Sequence, residues 1–157
     1  MKKAIRFLAI LFMALTAGFT LLGGVGTSCV AFNPGGFGES MAKLAPYQWL
    51  YILYVLVTTA IGLAGIRATI QLVRGAVGAY RCALNVLVLG VIVGGAHVAT
   101  SRVLRGSSMP VDAVVYTTVL TLAIFLLLRL PGLRQYADFS QGKGGADDKL
   151  GGAVSIT

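Results

Sequence analysis

The chain has 157 residues, 57% of them hydrophobic and only 11% charged, with a mean hydropathy of +0.85. That is more apolar surface than a small soluble core can hide, which excludes an ordinary soluble domain. Thirteen Lys and Arg against five acids give a net charge of +8. In a soluble domain this would point to nucleic acid, but here the basic residues sit at the ends of apolar runs, so they read as topology signals and no nucleic-acid partner is expected.

Four uncharged runs stand between the charges: Phe7–Gly38, Leu44–Ile66, Cys82–Ser101 and Ala113–Leu128, with lengths of 32, 23, 20 and 16. Crossing a hydrocarbon core of about 30 Å takes roughly 20 helical residues. The first run begins behind Lys2, Lys3 and Arg6, as an export signal would. It is longer than a signal's apolar region and has no clean small-x-small cleavage site, so it is expected to stay as an anchor. Its glycines predict a helix ending near Gly24, followed by an outer loop over 25–45 that could dip back into the bilayer. Cys29 falls in that loop as a candidate reactive thiol. Its bland alternative is a buried free thiol, and it lies across the bilayer from Cys82, too far for an internal disulfide.

The second span opens at Pro46, where a missing N–H is harmless. Tyr47, Trp49, Tyr51 and Tyr54 crowd its outer end and read as an interfacial aromatic belt, with stacking on a ligand as the alternative. Beyond it Arg67, Arg74 and Arg81 recur every seven residues, close to one line on a helix. They form a basic cytoplasmic stripe for anionic lipid headgroups or an acidic partner, with Gly75 and Gly78 marking a bend.

In the third span Gly90 and Gly94 make a GxxxG motif, and helical spacing continues that face to His97 and Ser101. This face is expected to pack on a neighbouring helix. His97 is the sole histidine and the only ionisable group well inside a span, so it is a candidate site. A structural hydrogen bond is the first expectation. Ligation of a haem or chlorophyll metal, or handling of a proton or ion, are the alternatives, and no cofactor is otherwise predicted. The fourth span starts at Ser108-Met109-Pro110-Val111-Asp112, where a Ser cap, a first-turn proline and an acid near the positive helix end agree. The polar, glycine-rich stretch over 135–157 is expected to be a flexible cytoplasmic tail. No residue set has catalytic spacing, and no clustered metal ligands are seen.

With the N-terminus inside, ten of the thirteen basic residues fall on one side, leaving Lys43, Arg102 and Arg105 outside. The sequence therefore predicts an all-α integral membrane protein. Its architecture is a four-helix antiparallel transmembrane bundle with both termini cytoplasmic and spans near 4–24, 46–66, 82–101 and 111–130. The expected setting is a bacterial inner membrane. The expected role is that of a non-catalytic accessory subunit of a larger membrane assembly, with lipids and other subunits or copies of itself as partners. The alternatives are a small oligomeric transporter or channel and a pigment- or haem-binding subunit using His97.

Overall fold

A computed structural model describes residues 1–136 and Phe139. Among them every regular element is helical: α1 (Lys2–Phe32), the single turn α2 (Glu39–Ala42), α3 (Gln48–Arg74), α4 (Ala79–Arg105) and α5 (Val111–Leu127), with short 3-10 turns between and after them. Three of these, α1, α3 with its leading 3-10 turn, and α4, are long and apolar enough to cross a membrane; α5 is shorter. At 1.5 Å per residue α1 is about 46 Å long and α5 about 25 Å.

The glycines that predict an end near Gly24 do not end α1, which runs to Phe32 and stops before Asn33-Pro34. They mark close approach instead. A Cβ at Gly23 would stand 3.0 Å from Val114 Cγ2 of α5, and one at Gly24 would stand 3.1 Å from Thr59 Oγ1 of α3. Thr27 Oγ1 donates to Gly23 O at 2.8 Å and Ser28 Oγ to Val25 O at 2.6 Å, so these hydroxyls are satisfied without breaking the helix. Residues 33–47 form a cap of 3-10 turns around α2, pinned by Leu44, which is buried with Ala31 and Tyr51. Chain reversal between α3 and α4 takes four residues, and Gly75 (φ 67°) and Gly78 (φ 79°) supply the left-handed conformations at its ends.

Each long helix runs antiparallel to both helices it packs against, in the cyclic order α1, α3, α4, α5. The register shows in the closest approaches. A Cβ at Gly62 would meet Leu21 Cδ2 at 2.6 Å, and one at Gly65 would meet Ala17 Cβ at 3.0 Å, so small residues seat α1 on α3. Thr16 of α1 and Thr121 of α5 share a buried hydrogen bond of 2.6 Å. Two ends result. The proximal end carries the N-terminus of α1, the C-terminus of α3, the start of α4 and the end of α5; the distal end carries their opposites and the cap.

The proximal half is a dry core. Ala9, Met13, Leu72, Leu87, Phe125 and Leu128 are buried together. Tyr80 stacks on Phe125 and Phe139, and its hydroxyl donates to Phe125 O. Of the expected tail over 135–157, Gln135 and Tyr136 end a 3-10 turn and Phe139 lies in the core, 3% exposed, while the rest of it, including Lys143 and Lys149, lies outside the described residues. The outward faces are made of large apolar side chains such as Leu11, Phe19, Leu56, Ile92 and Leu120, all exposed, while Thr16, Thr20, Thr118 and Thr121 point inward and are buried. This inversion suits a hydrocarbon solvent, in which hydroxyls find partners only within the protein.

Candidate functional site

The distal half of the bundle is built differently from the proximal half. Gly90 and Gly94 of α4 face inward, where a Cβ would stand 3.1 Å from Thr118 Cγ2 and 2.7 Å from Val115 Cγ2 of α5. One and two turns further on, the same stripe brings His97 and Ser101 against α3. The imidazole of His97, 3% exposed, lies parallel to the Tyr54 ring with centroids 4.4 Å apart and edge-on to Tyr51 at 5.4 Å. Tyr51 OH and Ser101 Oγ share a buried hydrogen bond of 2.8 Å. Thr100 Oγ1 donates its proton to Ala96 O at 2.8 Å, so Tyr54 OH donates to Thr100 Oγ1 at 2.9 Å.

Two expectations change here. Of the four residues read as an aromatic belt, Tyr47 and Trp49 are exposed, but Tyr51 is buried and Tyr54 turns inward to His97. They stand one turn apart on the side of α3 that faces α4, so their hydroxyls meet the hydroxyls of α4 and not headgroups. His97, expected to make a structural hydrogen bond, is held among the described residues by ring faces, and its nitrogens have no protein partner.

Those nitrogens border empty space. A cavity of about 30 Å³ lies below the ring, bounded by Thr20, Gly90, Gly94 and Thr118. Another of about 180 Å³ lies above it, between Val30 of α1, Met41 and Leu44 of the cap, and Ser101 and Arg105 of α4. A third void of about 10 Å³ continues along the axis to Met13 and Leu87, where the dry core closes it. The interior is therefore a cup of space around His97 in the distal half that narrows toward the packed proximal core. The two cavities touching the imidazole bound what can sit against it while the bundle stays closed.

Charge at the rim is unevenly matched. Arg102 lies 3.6 Å from Asp112, whose carboxylate also accepts a 2.5 Å hydrogen bond from Ser108 Oγ. Ser108, expected to cap α5, thus bonds the Asp112 side chain, and Pro110 stands at the cap position. Arg105 reaches the cap, where Nη1 donates to Met41 Sδ at 3.0 Å, while Nη2 donates to Met109 O in the α4–α5 connection at 3.1 Å. Nothing about Arg105 distinguishes it in the sequence from any basic residue at a helix end.

The remaining candidates lie elsewhere. Cys29 is exposed on the last turn of α1, and Cys82 is half-buried at the opposite end of the bundle. Arg67 and Arg74 line one open groove of about 500 Å³ on α3 with Leu63, Ile66 and Ile70. Arg81 stands beyond the Gly75–Gly78 reversal on α4, so the stripe of three is two residues on one helix and one on the next. Among the described residues no group of three or more His, Cys, Asp or Glu is placed to hold a metal. No family model, no curated protein and no solved structure matches the chain.

Proposed function

We propose that this chain is a non-catalytic accessory subunit of a larger membrane assembly: a four-crossing helical bundle of bacterial inner-membrane type, with both termini cytoplasmic, whose distal cup is its binding site. The observation that carries this reading is the asymmetry of the interior. A cup closed below by Met13, Leu87 and Phe125 suits holding a molecule better than passing one through. Membrane residence is supported by the long apolar helices and their lipid-like outer faces. The orientation is supported by charge, since among the described residues Lys2, Lys3, Arg6, Arg67, Arg74, Arg81, Arg129 and Arg134 are at the proximal end and only Lys43, Arg102 and Arg105 are at the distal one. Anionic headgroups are the expected neighbours of Arg67 and Arg74.

Native mass determination after extraction in a mild detergent tests the subunit reading. It predicts stoichiometric co-purifying chains, and a lone stable monomer overturns it. Orientation is tested in sealed right-side-out vesicles with a membrane-impermeant maleimide. Cys29, in a Cys82→Ser chain, is expected to label. A single thiol from Val77→Cys, at a position 94% exposed in the proximal reversal, is expected to stay dark until the vesicles are opened. The opposite pattern reverses the orientation.

A second reading, an oligomeric transporter or channel, is favoured by one specific observation: the Thr-lined voids continue from the cup past His97 toward the middle of the bundle. Reconstituted vesicles showing no ion or solute flux remove it.

A further inference from the structure

The cup holds a guanidinium whose needs the protein does not meet. Arg105 offers five N–H donors, and two of its partners are a backbone carbonyl and the Met41 thioether, a weak acceptor. Its Nε is buried and, among the described residues, has no hydrogen-bond partner. Leaving such a donor unmade in a buried place is costly, more so on a charged group. Asp112, a carboxylate on the same rim, is already engaged by Arg102 and Ser108. Arg105 is thus a positive charge lining a cavity of about 180 Å³, with one buried N–H donor left unpaired.

The rest of that cavity states what else its occupant must be. Val30, Phe37, Met41, Leu44 and Val111 make its walls apolar, and its polar side chains besides Arg105 are Thr27, bonded to its own helix, and the floor group of His97, Tyr51 and Ser101, whose two hydroxyls are bonded to each other. A small inorganic anion placed there would lose its hydration against apolar walls with one cation to replace it. A neutral hydrocarbon would leave Arg105 Nε unpaired, and a cation would be repelled. An acidic head on a single hydrocarbon chain satisfies both parts: carboxylate or phosphate oxygens accept from Nε and Nη of a guanidinium in parallel, and the chain takes the apolar volume.

We propose that the distal cavity binds a single-chain anionic amphiphile, its carboxylate or phosphate head on Arg105 and its hydrocarbon between Val30, Met41 and Leu44, with its tail end toward His97. This deepens the binding-cup reading above and rests on it for the location of the site, but not on the existence of partner subunits.

The test uses the full chain in a non-ionic detergent, with the thermal unfolding midpoint followed against added decanoate, decyl phosphate, decanol and decyltrimethylammonium. The two anions are expected to raise the midpoint saturably, and the alcohol and the cation are not. Arg105→Gln is expected to weaken the apparent affinity for decyl phosphate by about tenfold or more. A second variant separates binding from folding. Gly26 lines the cavity in a helical conformation, and a Cβ there would meet nothing within 4 Å, so Gly26→Leu is expected to fold normally and abolish the anion response by filling the space.

Equal stabilisation by decanol and decanoate overturns the assignment of the head, as does an unchanged affinity in Arg105→Gln. Stabilisation that survives Gly26→Leu overturns the assignment of the cavity. If nanodiscs containing phosphatidylglycerol give Arg105-dependent stabilisation while the single-chain anions give none, the headgroup of a bilayer lipid is the ligand and the single-chain claim fails. These outcomes are independent of native mass determination: a monomer with an anion response overturns the subunit reading alone, and an assembly without one overturns this inference alone.

Discussion

Replacing Gly62 by Ala adds one methyl group to the α1–α3 interface and tests whether close approach there is what the glycine provides. The new Cβ would lie 2.6 Å from Leu21 Cδ2, 2.8 Å from Leu21 Cγ and 3.3 Å from the Leu21 backbone N. Rotating the Leu21 side chain about χ1 and χ2 moves the first two atoms, within the few rotamers a helix allows, but the backbone N recedes only if α1 shifts away from α3. Overpacking of this kind costs about 1–3 kcal/mol. The same substitution also gains the helix propensity of Ala over Gly, about 0.8–1 kcal/mol, so a single measurement mixes two terms. Gly18→Ala on α1 removes the ambiguity, because a Cβ there would meet nothing within 4 Å while the propensity gain is the same. The difference between the two variants is then the overpacking term alone, with Gly62→Ala the less stable by about 1–3 kcal/mol. Unfolding in mixed micelles by titration with sodium dodecyl sulfate, read by helical circular dichroism, measures it. A difference below about 0.5 kcal/mol, the scatter of innocuous surface changes, refutes the claim that α1 and α3 are held at glycine distance.

Thr121 Oγ1 donates to Thr117 O at 2.9 Å and so accepts from Thr16; a Thr16→Val/Thr121→Val double-mutant cycle is expected to give a coupling of about 0.6–1.7 kcal/mol, and additivity refutes the bond. Tyr51→Phe deprives buried Ser101 of its 2.8 Å partner and is expected to destabilise by about 0.5–1.5 kcal/mol, whereas Trp49→Phe, at a position 66% exposed, should change the same unfolding curve by no more than about 0.5 kcal/mol. Arg6 Nη2 donates to Leu72 O at 3.3 Å at the negative end of α3; Arg6→Gln is expected to lose about 0.3–1 kcal/mol, more at low salt than at high salt.

What could be read in the sequence follows from what each residue type answers to. Long uncharged runs answer to the solvent, and they located the three longest helices and the short α5 to within several residues. Glycine answers to two demands that look alike in a sequence, a chain reversal and a close approach. Gly75 and Gly78 meet the first, with positive φ; Gly23 and Gly24 meet the second, and a helix end placed at them leaves out the last eight residues of α1, about two turns. The aromatics divided for a similar reason. Trp49 and Tyr54 are five residues apart, on opposite sides of α3, and only the position of α4 decides which side is interior. Tyr51 and Tyr54 against His97 and Ser101 could have been paired from their matching one-turn spacings, had the antiparallel register been known. Arg105 carried no such signal, because its role comes from a cap segment that reaches it only in the folded chain.

The same division bears on where a partner subunit could attach. The GxxxG face of α4, the most conspicuous packing surface in the sequence, is covered by α5 of the same chain, so it leaves no small-residue groove there for another protein. One open small-residue surface is on α1, where Ala14 is exposed and Gly18 meets nothing, flanked by exposed Leu11, Leu15 and Leu22; a second is on α4, where Gly95 and Ala99 are exposed. In lipid, apolar side chains alone give helices little reason to associate, whereas small residues allow backbones to approach. If the accessory-subunit reading holds, the longer of these helices, α1, is the docking helix to test first. Gly18→Leu is then expected to leave the isolated chain as stable as the parent, because its side chain enters open space, and to abolish co-purification of the partner by holding the two backbones apart. A Gly18→Leu chain that still captures its partner in full stoichiometry moves the interface off this face of α1.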